Sequence, residues 1–233
     1  AAAMLFRQLF HRESSTYTYL IACSETRNAV LIDPVNTEIE KYVALLAEHN
    51  LTLTYALDTH VHADHITASG LLKKQLGCQT AVSTLCHANN ADLEINDADV
   101  FTLSEHESIK AISTPGHTTG SLCFLWRSYL FTGDTLLING CGRTDFQGGD
   151  AATLYNSITK ILFTLPHETL VYPGHDYAGN YVSTIAQEKM KNPRLANKTK
   201  AQFIEIMNNL NLPYPKLIDI AVPANRNCGL TNL

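Results

Sequence analysis

The apolar positions of this chain fall into short runs separated by polar, glycine-bearing and proline-bearing punctuation. "YTYLIAC" (17–23) and "AVLIDP" (29–34) flank the polar turn "SETRN" and predict two strands. In "NTEIEKYVALLAEHN" (36–50), Ile39, Tyr42, Val43, Leu45 and Leu46 recur at helical spacing. "LTLTYALDTH" (51–60) reads as a buried strand, and "ITASGLLKKQLG" (66–77) as a helix closed by Gly77, which tolerates the left-handed cap conformation. Five strand-like runs follow: "QTAVS", "DVFTL", "SIKAIST", "SLCFLW" and "YLFTGD". Helical periodicity returns in "DAATLYNSITKILFTL" (150–165). It is followed by a strand, "TLVYPG" (169–174), and by helices near 178–190 and 199–209. Strands interspersed with helices, then strands, then alternation again predict two sheets packed face to face with helices outside, an α/β sandwich.

Polar residues give this pattern its chemistry. His60, His117, Asp134 and His175 each stand just after a predicted strand, in the contexts "DTH", "STPGH", "FTGD" and "VYPGH". Strand ends bring residues remote in sequence to one rim of a sheet. The segment "THVHADH" (59–65) adds His62, Asp64 and His65. Imidazoles and carboxylates at this density point to a metal. Two arrangements are open. In one, His60, His62 and His117 hold one ion, Asp64, His65 and His175 hold another, and Asp134 bridges them; a bridging hydroxide would then make the site hydrolytic. In the other, His60, His117 and Asp134 alone hold one ion, two imidazoles and a carboxylate on one face, leaving positions for substrate and O2. Ligand counting does not choose between them. The remaining histidines, His11, His49, His87, His106 and His167, lie in ordinary polar surroundings.

Composition narrows the function classes. The chain has 233 residues, 45% hydrophobic and 17% charged, enough for one sizeable core. Residues 1–233 are expected to form one domain, with 192–233 as a C-terminal extension packed on it and Ala1–Ala3 as an appended remnant ahead of Met4. The net charge of −5, with no Lys/Arg-rich run, argues against a nucleic-acid or anionic-membrane partner. No stretch reaches the apolar length of a membrane span. "AAAMLFRQLF" resembles neither a signal peptide nor a transit peptide, so a bacterial-type cytoplasmic location is expected. The six cysteines form no C-x-x-C pair and are expected to be reduced, buried thiols, Cys141 and Cys228 included.

Together, "THVHADH" (59–65), "PGHTTGS" (115–121), "TGDTL" (132–136) and "YPGHDY" (172–177) resemble the metallo-β-lactamase superfamily, which implies a four-layer αββα sandwich. "GCGRTDFQGG" (140–149), "NPRL" (192–195), "IMNNLNLPYPKLID" (206–219) and "VPANRNCG" (222–229) are similar to the persulfide (sulfur) dioxygenases of that superfamily. The resemblance implies an enzyme with one Fe(II) per chain on His60, His117 and Asp134, glutathione persulfide and O2 as substrates, and a homodimer. It assigns His62, Asp64, His65 and His175 no iron bond and leaves them around the ligands. Tyr177 and Arg194 match positions that hold glutathione. Arg143 is expected either to organise the site loop and substrate or simply to pair with Asp145. The competing reading is a dinuclear zinc thioester hydrolase of the glyoxalase II type. The stretch "CGRTDFQ" after Asp134 and a tail too short for the usual extra helical domain depart from that pattern. A non-catalytic metal-binding or scaffolding relative would have no need for the full ligand set.

Overall fold

The computed structural model describes residues 3–230; the expected remnant falls mostly outside them, at Ala1 and Ala2. Among the described residues twelve strands form two six-stranded sheets. The first contains β1 (Met4–His11), β2 (Thr16–Cys23), β3 (Asn28–Ile32), β4 (Thr52–Leu57), β5 (Gln79–Ser83) and β6 (Leu93–Ile95), adjacent in chain order. Its first three strands are antiparallel and the rest parallel. The second contains β7 (Val100–Thr102), β8 (Ser108–Ser113), β9 (Leu122–Trp126), β10 (Tyr129–Gly133), β11 (Leu170–Pro173) and β12 (Ser183–Thr184). It is antiparallel except where β10 meets β11.

The inner faces of the sheets meet in one apolar layer. Tyr19, Ile21, Val30, Ile32 and Leu57 come from the first sheet, and Ile109, Leu122, Phe124 and Phe131 from the second. Alternate residues of the same strands face outward. Leu20, Ala22 and Leu31 pack under α1 (Ile39–Glu48) and α2 (Ser69–Leu76). Cys123, Leu130 and Val171 pack under α3 (Ala151–Asn156), α4 (Ile185–Lys191) and α5 (Lys200–Asn208). The result is the expected αββα sandwich. It also explains why β2 is buried along its whole length: a strand covered on both faces has no solvent side.

The predicted elements recur with shifts of a few residues, and Gly77 takes the left-handed cap at φ 75°. The expected helix over 150–165 is not continuous. After α3 it widens into a π-type turn at Ser157–Ile161 and tightens at Leu162–Thr164. The Thr159 hydroxyl donates to the Tyr155 carbonyl (2.7 Å), a side-chain bond that competes with regular helical pairing. The helix expected near 178–190 begins only at Ile185. Three strands lie outside the expectation: β1, β6 and β12. β1 lies almost wholly in the segment "AAAMLFRQLF" and pairs with β2 over all eight residues. The motifs "IMNNLNLPYPKLID" and "VPANRNCG" carry parts of a further helix, α6 (Ile218–Arg226), that the periodicity does not predict. Among the described residues no helix is long and apolar enough to cross a membrane.

Phe124 is fully buried in the layer between the sheets. Phe124→Ala should cost about 3–5 kcal/mol of stability through lost burial and an unfilled cavity, read as a fall in urea midpoint at constant slope. A loss below about 1 kcal/mol would show that the two sheets do not share a packed core there.

Candidate metal centre

The strand-end rule holds in three dimensions. His60 follows β4, His117 follows β8, Asp134 follows β10 and His175 follows β11. His60, His117 and Asp134 converge, with Asp134 Oδ2 lying 3.6 Å from His60 Nε2 and 3.5 Å from His117 Nε2. Hydrogen bonds behind the rings set their tautomers. His117 Nδ1 donates to the Arg143 carbonyl (2.6 Å), leaving the Nε2 lone pair free to face the cluster. The Thr59 hydroxyl gives its proton to Asp33 Oδ2 (2.8 Å), so it accepts from His60 Nδ1 (2.9 Å), and His60 Nε2 likewise faces the cluster unprotonated. Asp134 Oδ1 accepts from His175 Nδ1 (2.5 Å), and Oδ2 is the oxygen turned toward the imidazoles. Gly142 closes the loop over these groups: a Cβ there would stand 2.3 Å from the Asp134 carbonyl and 2.6 Å from His117 Nδ1.

The four surrounding residues are arranged differently. His175 lies between two carboxylates, donating from Nδ1 to Asp134 and from Nε2 to Asp64. Burial pulls its pKa down, but Asp134 and Asp64 outweigh that and hold it well above the ordinary value. Donating from both nitrogens in this way, His175 would have to release a proton before it could bind an ion. His62 turns the other way, with Nε2 donating to Asp33 Oδ1 (3.0 Å) and Asp58 lying behind it. Burial opposes its charge, yet Asp33 and Asp58 push it up to about 9. His65 Nδ1 donates to Asp64 Oδ1 (3.2 Å), and burial drives its pKa down to about 4. Donor atoms of His62, Asp64 and His65 do form a second three-membered group, and His62 Nδ1 and His65 Nε2 are buried without a partner. In this group, however, Asp64 is already bonded to both His175 and His65.

Buried carboxylates would normally be pushed toward protonation. In Asp134 burial is outweighed chiefly by His175, with His60 and His117 adding to it, and the carboxyl is held well below the usual range. His60 shifts the other way, down from its ordinary value, because burial disfavours the imidazolium. The triad is therefore a neutral imidazole at His60 beside an ionised carboxylate, the protonation state a divalent cation requires.

The expected outer residues lie at the rim or in the loops. Tyr177 is exposed, its ring stacked parallel to His175 with centroids 6.2 Å apart. Arg194 Nη1 donates to the Cys141 carbonyl (2.7 Å), beside Gly142. Arg143 is fully engaged within the protein. It forms a bidentate pair with Asp145, donates to the Pro213 carbonyl (2.8 Å) and lies over the Phe146 ring. Its role in the free chain is to brace the loop whose carbonyl holds His117. All six cysteines are free and buried. Sequence reasoning missed Asp33, Asp58, Thr59 and Asn225. Asp33, which follows β3 in "LIDP", obeys the same strand-end rule and was within reach of it.

Two stacked sheets with histidines and a carboxylate gathered on one rim define a scaffold of the metal-binding αββα class. The model for the metallo-β-lactamase superfamily matches residues 11–89 and 87–175. The human mitochondrial persulfide dioxygenase ETHE1 is 50% identical over 232 residues, covering 98% of this chain and 90% of its own. The crystal structure of ETHE1 from Myxococcus xanthus superposes with a TM-score of 0.95 at 54% identity, covering 97% of this chain and all of that one. A probable hydroxyacylglutathione hydrolase of Schizosaccharomyces pombe is more distant, 36% identical over 71% of this chain and 66% of its own. The chain belongs to the metallo-β-lactamase superfamily and, within it, to the persulfide dioxygenase family.

The buried histidines predict a dome-shaped pH profile for the metal-free protein. The His62 stabilisation is complete below its unfolded value of 6.5 and is lost as pH rises to about 9; His175 acts in the same direction. His65 contributes above 6.5, and that contribution is lost as pH falls to about 4. His60, also lowered by burial, acts in the same direction as His65, while the Asp58 carboxyl, raised by burial to about 7, opposes them as pH rises from 3.8 and offsets the His65 part, so the acid limb rests on His60. Urea midpoints should therefore peak near 6.5 and fall on both sides, and His62→Asn should flatten the alkaline limb. An unchanged alkaline limb in that variant would contradict the His62 assignment.

Proposed function

We propose that this protein is an Fe(II)-dependent persulfide dioxygenase that converts glutathione persulfide, O2 and water to glutathione, sulfite and two protons. The reading rests on one observation above others. His60 Nε2, His117 Nε2 and Asp134 Oδ2 face one another with their hydrogen-bonding sides already engaged, in a chain about half identical to the human enzyme of that name. The donor set fits Fe(II): two borderline imidazoles and one hard carboxylate on one face, with the opposite face left for reactants. Bound there, Fe(II) would supply one-electron chemistry toward O2 and affinity for an anionic sulfur.

The chain's own groups do the rest. Thr59 and the Arg143 carbonyl keep His60 and His117 oriented with the correct nitrogen forward. His175 holds Asp134 Oδ1 and ties up Asp64, which supports one ion rather than two. Holding both reactants on one face makes the sulfur–oxygen encounter a step between fixed neighbours. Tyr177 at the rim offers an aromatic wall for the peptide part of glutathione. Arg194 offers a cation for a glutathione carboxylate, held beside the site by its hydrogen bond to the Cys141 carbonyl in the loop that closes over His117. The dinuclear zinc hydrolase is the weaker reading, because His175 and His62 spend their hydrogen bonds on carboxylates. Buried unpaired thiols support a reducing, cytoplasm-like compartment, and a homodimer is carried over from the family.

Protein purified without oxygen should contain one iron per chain and consume O2 when given glutathione persulfide, with little hydrolysis of S-lactoylglutathione. Two zincs per chain with rapid thioester cleavage would overturn the proposal. Arg194→Lys removes a bidentate donor while keeping charge, so KM for glutathione persulfide should rise about tenfold, with kcat falling much less. An unchanged KM would remove Arg194 from the substrate site.

A further inference from the structure

The loop that carries His60, His62, Asp64 and His65 has almost no scaffold of its own. Among the described residues, no backbone-to-backbone hydrogen bond involves residues 60–65. Side chains hold its carbonyls instead. Gln147 Nε2 donates to Val61 (2.8 Å), and Asn225 Nδ2 donates to both His62 (2.9 Å) and His65 (2.8 Å). Asn225 Oδ1 also accepts from the Thr67 amide (2.8 Å) just beyond the loop. The side chain is buried, so these bonds meet little competition from water. The three partners also fix the amide orientation: turning it over would set its oxygen against two carbonyls.

Asn225 stands on α6, beyond the part of the chain that the superfamily model matches. The helix is locked to the metal loop from several sides. Ile218 and Val222 pack with Val61, Val82 and Cys86. The Gly70 amide donates to the Cys228 carbonyl (2.9 Å), and the Asn89 amide to Arg226 (2.5 Å). Gly229, at φ 76°, passes so close that a Cβ would stand 2.1 Å from the Thr67 carbonyl.

We infer that Asn225 is a positioning residue for the metal centre: through three hydrogen bonds, the C-terminal helix sets the backbone from which His60 and its neighbours project. The inference rests on the metal-site reading above. Asn225 touches no ligand atom and acts by fixing the carbonyls of residues 62 and 65.

The test uses metal-stripped full-length protein titrated with Co(II) against a chelator of known affinity, with visible spectra to report ligand geometry. Asn225→Ala should weaken Co(II) binding about 10- to 100-fold, the size seen when hydrogen bonds behind metal ligands are removed, and shift the spectrum. Asn225→Asp keeps the acceptor toward Thr67 but loses both donors, and should weaken binding likewise. Leu46→Ala, in α1 on the far side of the first sheet, provides a control that lowers thermal stability with affinity and spectrum unchanged. Wild-type affinity and spectrum in Asn225→Ala would overturn the inference. Failure of the wild type to bind metal, with His60→Ala no different from it, would instead overturn the metal site itself. If neither Asn225 variant folds, hydrogen exchange on the wild type decides. The Thr67 amide should exchange at the rate at which α6 opens, and exchange in step with the sheet core alone would refute the coupling.

Discussion

Everything distinctive about this structure follows from holding two imidazole lone pairs and a carboxylate oxygen, buried, with their charge-bearing faces toward one point. Left to themselves these groups would repel, protonate or turn away toward other partners. They are kept in place because each has its other side occupied: His60 by Thr59, His117 by the Arg143 carbonyl, Asp134 by His175. A divalent cation completes such an arrangement, and its charge offsets the cost of desolvating the donors.

The same hydrogen bonds bear on how many ions the site takes. Members of one superfamily can share a full set of seven acids and histidines and still differ in metal count. In this chain the flanking side chains direct their protons toward carboxylates outside the three-membered cluster or on its far side. Asp33 and Asp58 draw His62 backward, while Asp64 and Asp134 hold His175 from both sides. Four residues that look like ligands in one dimension form a hydrogen-bonded surround to the His60, His117 and Asp134 cluster.

The fold supplies reach and the loops supply precision. Two sheets buried on both faces deliver strand ends to one rim with little freedom. The loops beyond those ends are irregular, and long-range braces set their conformations: Arg143 between Asp145 and Pro213, Gln147 on Val61, Asn225 on His62 and His65. The C-terminal segment thus braces the loop that carries the candidate ligands, although the superfamily match ends at residue 175.

The hydrophobic pattern by itself determined the sandwich, most of its strands and the strand-end placement of His60, His117, Asp134 and His175, because burial imposes periods of two and 3.6 that local sequence must obey. Motif resemblance separated three ligands from four neighbours without a physical reason. Short strands such as β6 and β12, the break after α3 and the pairing of β1 were not legible, since each depends on partners elsewhere in the fold. Tertiary structure alone decided which way the side chains point. The protons of His62 and His175 and the amide of Asn225 are committed to groups 29, 111 and 163 residues away, and no local pattern encodes a hydrogen bond across that distance.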